Sequence, residues 1–339
     1  VRADRTRRVS GIVAALLAAL ALVLAIANEA RAQPATVTLD LALERRLLAL
    51  SPQHISERDV ADVLTHVPAP KMLLFAGSVP VVTMQPVAEF FIAMGYPRER
   101  IADPRDGSLW YASFTDSATI AGLVAWHYEH DGVRPMLIGH SQGGMIVVRV
   151  LHELAGAFDP HIAVRDPRTA MALDRDTIVD PLSGRERPVV GLSVAYAAAI
   201  ATGKLMRVLL GQWDMLARLR AIPDTVDDFT GYFIPGDVFE GTSEPERYRA
   251  TGHASVRNVT LPAGVGHIGA PRIAELARDP AARAWIDAYS PDASLPPLPD
   301  IAAADAANLV HAADLWYSVK QHWCSEAQRL VRARRGGSG

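Results

Sequence analysis

The sequence predicts an α/β protein with a mostly parallel sheet, on three observations. Short apolar runs of strand length recur along the chain, segments with helical spacing alternate with them, and turns bearing Gly or Pro separate the two. A continuous apolar run of four to eight residues fits a strand buried on both faces, which requires helices on both sides. The composition allows such a core: 339 residues, 50% hydrophobic and 21% charged. A formal net charge of −3 gives no basis for nucleic acid as a partner.

Residues 1–32 read as a signal peptide rather than part of the fold. Arg2, Arg5, Arg7 and Arg8 precede an apolar run at 11–26, and Ala30-Arg31-Ala32 has the form of a cleavage site. The run is shorter than the roughly 20 residues a bilayer needs. Cleavage that leaves no membrane anchor is therefore expected, with an uncleaved anchor as the alternative. The mature protein is then periplasmic or secreted, in a bacterium. Cys324 is the only cysteine, so no intramolecular disulfide bears on export.

Residues 33–290 form the main domain. Thr36-Val37-Thr38-Leu39 alternates like a strand, and 41–50 turns helical. Ser56 and Asp59 open a short helix that ends near His66. Lys71-Met72-Leu73-Leu74-Phe75-Ala76 is the first buried strand, stopped by Gly77-Ser78-Val79-Pro80; a helix at 87–94 follows, closed by Gly95. The unit repeats as a helix at 117–129 capped by Asp116, a strand Pro135-Met136-Leu137-Ile138, and a helix at 143–155. A polar excursion at 157–187 follows, with 177–179 and 188–192 expected to pair as a hairpin. Further strands are expected at 189–197, Tyr232-Phe233-Ile234 and 256–261, with a helix at 271–288 broken near Asp279-Pro280. Between them 198–221 reads as largely helical, with Leu205, Leu209, Leu210, Trp213, Leu216 and Leu219 on an apolar face. A Pro-rich linker at 291–300 leads to a C-terminal helix at 301–334, on which Leu309, Ala312, Trp316, Val319 and Trp323 recur at helical spacing; the tail at 332–339 reads as disordered.

One turn carries chemistry. Gly139-His140-Ser141-Gln142-Gly143 lies between an apolar strand and a helix, so a sharp bend would expose Ser141 at a helix N-terminus. A serine hydroxyl also needs a base to take its proton and donors for the oxyanion that forms. The ordinary alternative for G-x-S-x-G is a tight turn in a Gly-rich loop.

Gly139-His140-Ser141-Gln142-Gly143-Gly144 after Met136-Leu137-Ile138 resembles the nucleophile elbow of lipases and carboxylesterases of the α/β-hydrolase superfamily. The resemblance covers roughly residues 72–288 and implies an α/β-hydrolase fold with the triad in the chain order serine, acid, histidine. His267, after the last strand in Gly264-Val265-Gly266-His267, fits the base; His127, His130 and His152 lie in helices, His253 is at the wrong end of a strand, and His140 points elsewhere. Asp237, after Tyr232-Phe233-Ile234-Pro235-Gly236, fits the acid that holds the imidazole tautomer, with Glu240 and Asp214 as competitors. The resemblance further implies oxyanion donors from the Gln142 N–H and from the loop after Ala76. There Ser78 matches the family position and Val79 is the fallback; Ala76 stands where the family commonly has a histidine. It also implies a helical cap insertion, placed at about 198–228, over an acyl pocket.

The activity implied is hydrolysis of a carboxylic ester, on a small molecule or a lipid, through an acyl-serine intermediate. Acyl transfer to another acceptor, or cleavage of an amide or thioester, uses the same triad; a non-catalytic exported binding protein is the alternative of another class. No cofactor is expected. Asp174, Asp176 and Asp180 lack the Glu that closes a calcium loop, and no His/Cys cluster has zinc spacing.

Overall fold

Strand-forming residues with neighbours on both faces dominate the middle of the molecule, and they build a five-stranded parallel sheet. The computed structural model describes residues 39–204, 208, 210–239 and 246–336. The signal peptide at 1–32 and the strand read at 36–38 lie outside the described residues. In chain order the main sheet holds β1 (Met72–Phe75), β2 (Met136–His140), β5 (Val194–Ile200), β7 (Val226–Phe233) and β9 (Ser255–Thr260), adjacent in that same order. All four pairings are parallel. The small strands β3 (Thr177–Val179) and β4 (Glu186–Pro188) form a hairpin, and β6 (Ala221–Ile222) pairs with β8 (Arg249–Ala250). On the other side of β1 the sheet gains, among the described residues, a single parallel bridge, Phe75 to Tyr111, closed by Tyr111 N–H to Leu74 O and Ala76 N–H to Tyr111 O.

Alternation along the strands divides the apolar side chains between two cores. Leu73, Phe75, Leu137, Ala197 and Phe229 meet α4 (Ser117–Asp131) and α5 (Gln142–Leu154) on one face. Met72, Leu74, Met136, Ile138, Ala198 and Tyr232 meet α3 (Gln85–Ala93), α6 (Pro280–Ala288) and α7 (Ala303–Gly336) on the other, with α1 (Leu41–Ala49) at its margin. The short α2 (Glu57–Asp62) starts at Ser56 with the expected capping box, and Asp116 caps α4 through Thr119 N–H.

Three expectations are corrected. Residues 198–200 belong to β5 and 226–228 to β7, so the connection between those strands is 201–225, not 198–228. Its described part holds the 3-10 turn Trp213–Met215 and β6, not a long helix. Gly211, at φ 67°, and the pairing of β6 with β8 break the helical spacing that the leucines suggest. The hairpin partner of β3 is β4, which overlaps the expected segment at Pro188 and extends from there toward the turn rather than to 192. Finally, the C-terminal helix read at 301–334 is α7, which starts at Ala303 and runs on through 335–336 into the segment also read as a disordered tail; there Arg335 pairs with Glu44 of α1, and 337–339 lie outside the described residues.

Helix α7 meets the sheet through apolar side chains and one buried polar network. Asp314, fully buried, accepts hydrogen bonds from Tyr232 Oη (2.6 Å) and Tyr289 Oη (2.8 Å) and pairs with Arg257 through both carboxylate oxygens. Removing one partner from such a network leaves the rest desolvated and unpaired. Asp314→Ala is therefore expected to cost about 3–5 kcal/mol, read as a lowered urea midpoint; a midpoint within error of wild type would show that the network adds nothing.

Candidate active site

Ser141 stands where β2 turns into α5, and its backbone is strained. It adopts φ 55°, ψ −116°, a left-handed φ that costs a non-glycine residue about 1–3 kcal/mol and persists only when the surroundings hold it. They do. Ser141 N–H donates to Ile200 O (2.7 Å), and Thr202 Oγ1 donates to Ser141 O (3.0 Å), so the end of β5 clamps the turn on both sides. The turn also brings α5 against β1: a Cβ at Gly143 would lie 2.1 Å from Phe75 O, which only glycine tolerates.

The three residues expected from the sequence converge at the C-terminal ends of three strands. Ser141 follows β2, Asp237 follows β7 and His267 follows β9. His267 Nε2 lies 3.0 Å from Ser141 Oγ, and His267 Nδ1 lies 2.5 Å from Asp237 Oδ2. Asp237 and His267 are buried, and Ser141 is partly exposed. The other carboxylate oxygen, Asp237 Oδ1, accepts Phe239 N–H (2.9 Å), and the Phe239 ring packs on the His267 ring with centroids 4.5 Å apart. A nucleophile-sized hydroxyl, a ring nitrogen to accept its proton and a carboxylate on the other ring nitrogen thus form one continuous relay.

Asp214 does not join it. Its carboxylate pairs with Arg149 on α5, at the surface. Glu240 lies outside the described residues. Gln142 is the first residue of α5, so its N–H is among those at the positive end of the helix dipole. The loop after β1 abuts Ser141, since a Cβ at Gly77 would fall 3.0 Å from Ser141 Cβ; half-buried Ser78 is the next residue.

Sequence reasoning missed the residues that hold this arrangement. Thr202 and Asn308 carry no local signature, because their partners are distant in the chain. Asn308 on α7 donates to Gly269 O (3.0 Å) and so fastens the His267 loop from behind. His140 does point away from Ser141 Oγ as expected, but its Nε2 meets His267 O at 2.9 Å. Burial, reinforced by the neighbouring His267, pushes the His140 imidazole down to about 3, so the ring stays neutral.

Among the described residues no group of three or more His, Cys, Asp or Glu side chains is placed to hold a metal ion. Asp180 instead organises the β3–β4 turn, accepting the N–H groups of Leu182 and Ser183, while Asp176 meets His161. No described helix is long and apolar enough to cross a membrane. No protein-family model matches the chain, and no curated protein matches it by sequence.

Proposed function

We propose that this chain is a serine hydrolase of the α/β-hydrolase type, cleaving carboxylic esters through an acyl-serine intermediate. The observation that carries the proposal is the unbroken relay from Asp237 through His267 to Ser141, at 2.5 and 3.0 Å, with the serine in a strained strand-to-helix turn. Asp237 accepts a hydrogen bond from His267 Nδ1–H, which keeps the proton on Nδ1 and so presents Nε2 as a base. Ser141 Oγ attacks the ester carbonyl as Nε2 takes its proton, and the same proton passes to the leaving alcohol. Water then repeats the sequence on the acyl-serine, with His267 again as base and then acid.

The negative oxygen of each tetrahedral intermediate would sit at the N-terminus of α5, bound by the N–H groups of Gln142 and Ser78. Val238, Phe239 and Ile268 are exposed apolar chain neighbours of Asp237 and His267, which suits an ester with an apolar acyl part, whether a small molecule or a lipid. The proposal includes export, on the basic and apolar character of residues 1–32.

A fluorophosphonate probe tests the reading directly, because it is attacked only by an activated serine. Wild type should be labelled stoichiometrically and should turn over a short-chain p-nitrophenyl ester, and Ser141→Ala should do neither. Equal labelling of the two would move the nucleophile elsewhere. No labelling of either would leave a fold that binds without catalysing.

A further inference from the structure

The imidazole of His140 lies between the His267 loop and the loop after β1, and only one of its contacts can be a hydrogen bond to the site. It is the last residue of β2, in phase with Met136 and Ile138, so the side chain leaves the sheet on the α7 face rather than toward Ser141 Oγ. It is 1% exposed. Its Nε2 meets the backbone oxygen of His267 at 2.9 Å, and the two rings lie 4.8 Å apart at 53°. Its other edge faces the loop after β1: a Cβ at Gly77 would stand 3.2 Å from Nδ1. A carbonyl can only accept, so the His140 tautomer is fixed with hydrogen on Nε2.

We propose that His140 is a positioning residue for the base: its Nε2–H grips the backbone of His267 and sets the distance from the imidazole to both Asp237 and Ser141. This inference rests on the triad reading above. The base loop has few anchors of its own. It is closed by Gly269 N–H and Ala270 N–H to Gly266 O, with Asn308 holding Gly269 O from behind. At His267 itself the backbone oxygen is taken by a side chain one residue from the nucleophile in sequence. Nucleophile and base are thereby fixed to the same strand end, although they are 126 residues apart in sequence. Positioning errors of about an ångström at such a relay cost on the order of a hundredfold in rate.

Reach is the variable that separates positioning from simple packing. The amide nitrogen of Gln can stand near the place of Nε2 and donate to His267 O; that of Asn stops one bond short. His140→Asn is expected to lower kcat for the p-nitrophenyl ester by about ten- to a hundredfold, with KM within a factor of about three. His140→Gln should recover most of kcat, and His140→Leu serves as the removal variant if His140→Asn does not fold. Three results overturn the proposal: a kcat for either removal variant within threefold of wild type, an effect on KM alone, or an equal loss in His140→Gln and the removal variant. Fluorophosphonate labelling run in parallel separates this from failure of the triad reading. If wild type is not labelled, both fall; if wild type is labelled and Ser141→Ala is not, the kcat series judges His140 alone.

Discussion

Asp237→Asn is expected to lower kcat by about ten-thousandfold, with KM nearly unchanged, in an ester assay. The carboxylate does more than neutralise. It accepts from His267 Nδ1 at 2.5 Å and so fixes the proton on that nitrogen, leaving Nε2 free to accept from Ser141 Oγ at 3.0 Å. An Asn amide can donate in the same place, which favours the tautomer with hydrogen on Nε2, and that tautomer cannot take the serine proton. Phe239 N–H can still bond the side-chain oxygen, so the loop geometry should survive. The rate of fluorophosphonate labelling should fall in parallel. Asp214→Asn, which disturbs only the surface pair with Arg149, should leave kcat as it is. If Asp237→Asn keeps more than a tenth of wild-type activity, the acid is another residue.

Mild acid is expected to destabilise the protein steeply, before most carboxylates titrate. Burial is the first cause that pushes His127 to about 4, His140 to about 3 and His311 to about 4, and it lowers His152 and His322 below the ordinary 6.5 as well. Asp131 pulls His127 back up, yet Arg100 competes for that carboxylate and desolvation prevails. Neither ring nitrogen of His311 has a hydrogen-bond partner among the described residues. In the unfolded chain His127, His140 and His311 take up protons near pH 6.5; in the folded chain they stay neutral until about pH 4 or below. Their stabilisation is therefore whole above pH 6.5 and is lost as pH falls through the window down to about 4. Each proton withdraws about 1.4 kcal/mol per pH unit, so three give about 4 kcal/mol per unit near pH 5. That is a large share of the about 5–15 kcal/mol that domains have. Urea midpoints measured from pH 7 to pH 4.5 should decline along this slope, and His311→Phe should make it shallower. A midpoint unchanged between pH 6.5 and pH 5 would mean that these rings are already charged in the folded state.

What could be read in advance was local. The serine turn announces itself because strand, glycine, serine and helix are contiguous, and the capping box at Ser56 and the cap at Asp116 are equally short-range. His267 and Asp237 were reachable because each follows a strand at the same end of the sheet as Ser141. The segment 201–225 misled because its leucines satisfy helical spacing, while the features that stop a helix there, Gly211 at positive φ and the pairing of β6 with β8, are a single glycine and a tertiary contact. Tyr111 adds a bridge too short for any periodicity to register. Thr202, Asn308 and His140 act on backbone atoms 61, 39 and 127 residues away, so nothing adjacent to them in sequence reports their roles.

Helix α7 reaches back across almost the whole chain. Gln328 Nε2 donates to Leu47 O and Leu50 O, Lys320 Nζ to Ile55 O, and Glu326 holds Arg134 beside β2. During synthesis the segment 47–55 therefore leaves the ribosome more than 260 residues ahead of the side chains that satisfy its carbonyls. At about 5–20 residues per second that interval lasts tens of seconds. For that time the face of the sheet that α7 shares with α3 and α6 lacks its longest described helix, and the carbonyls of 47–55 have no side chain to meet them.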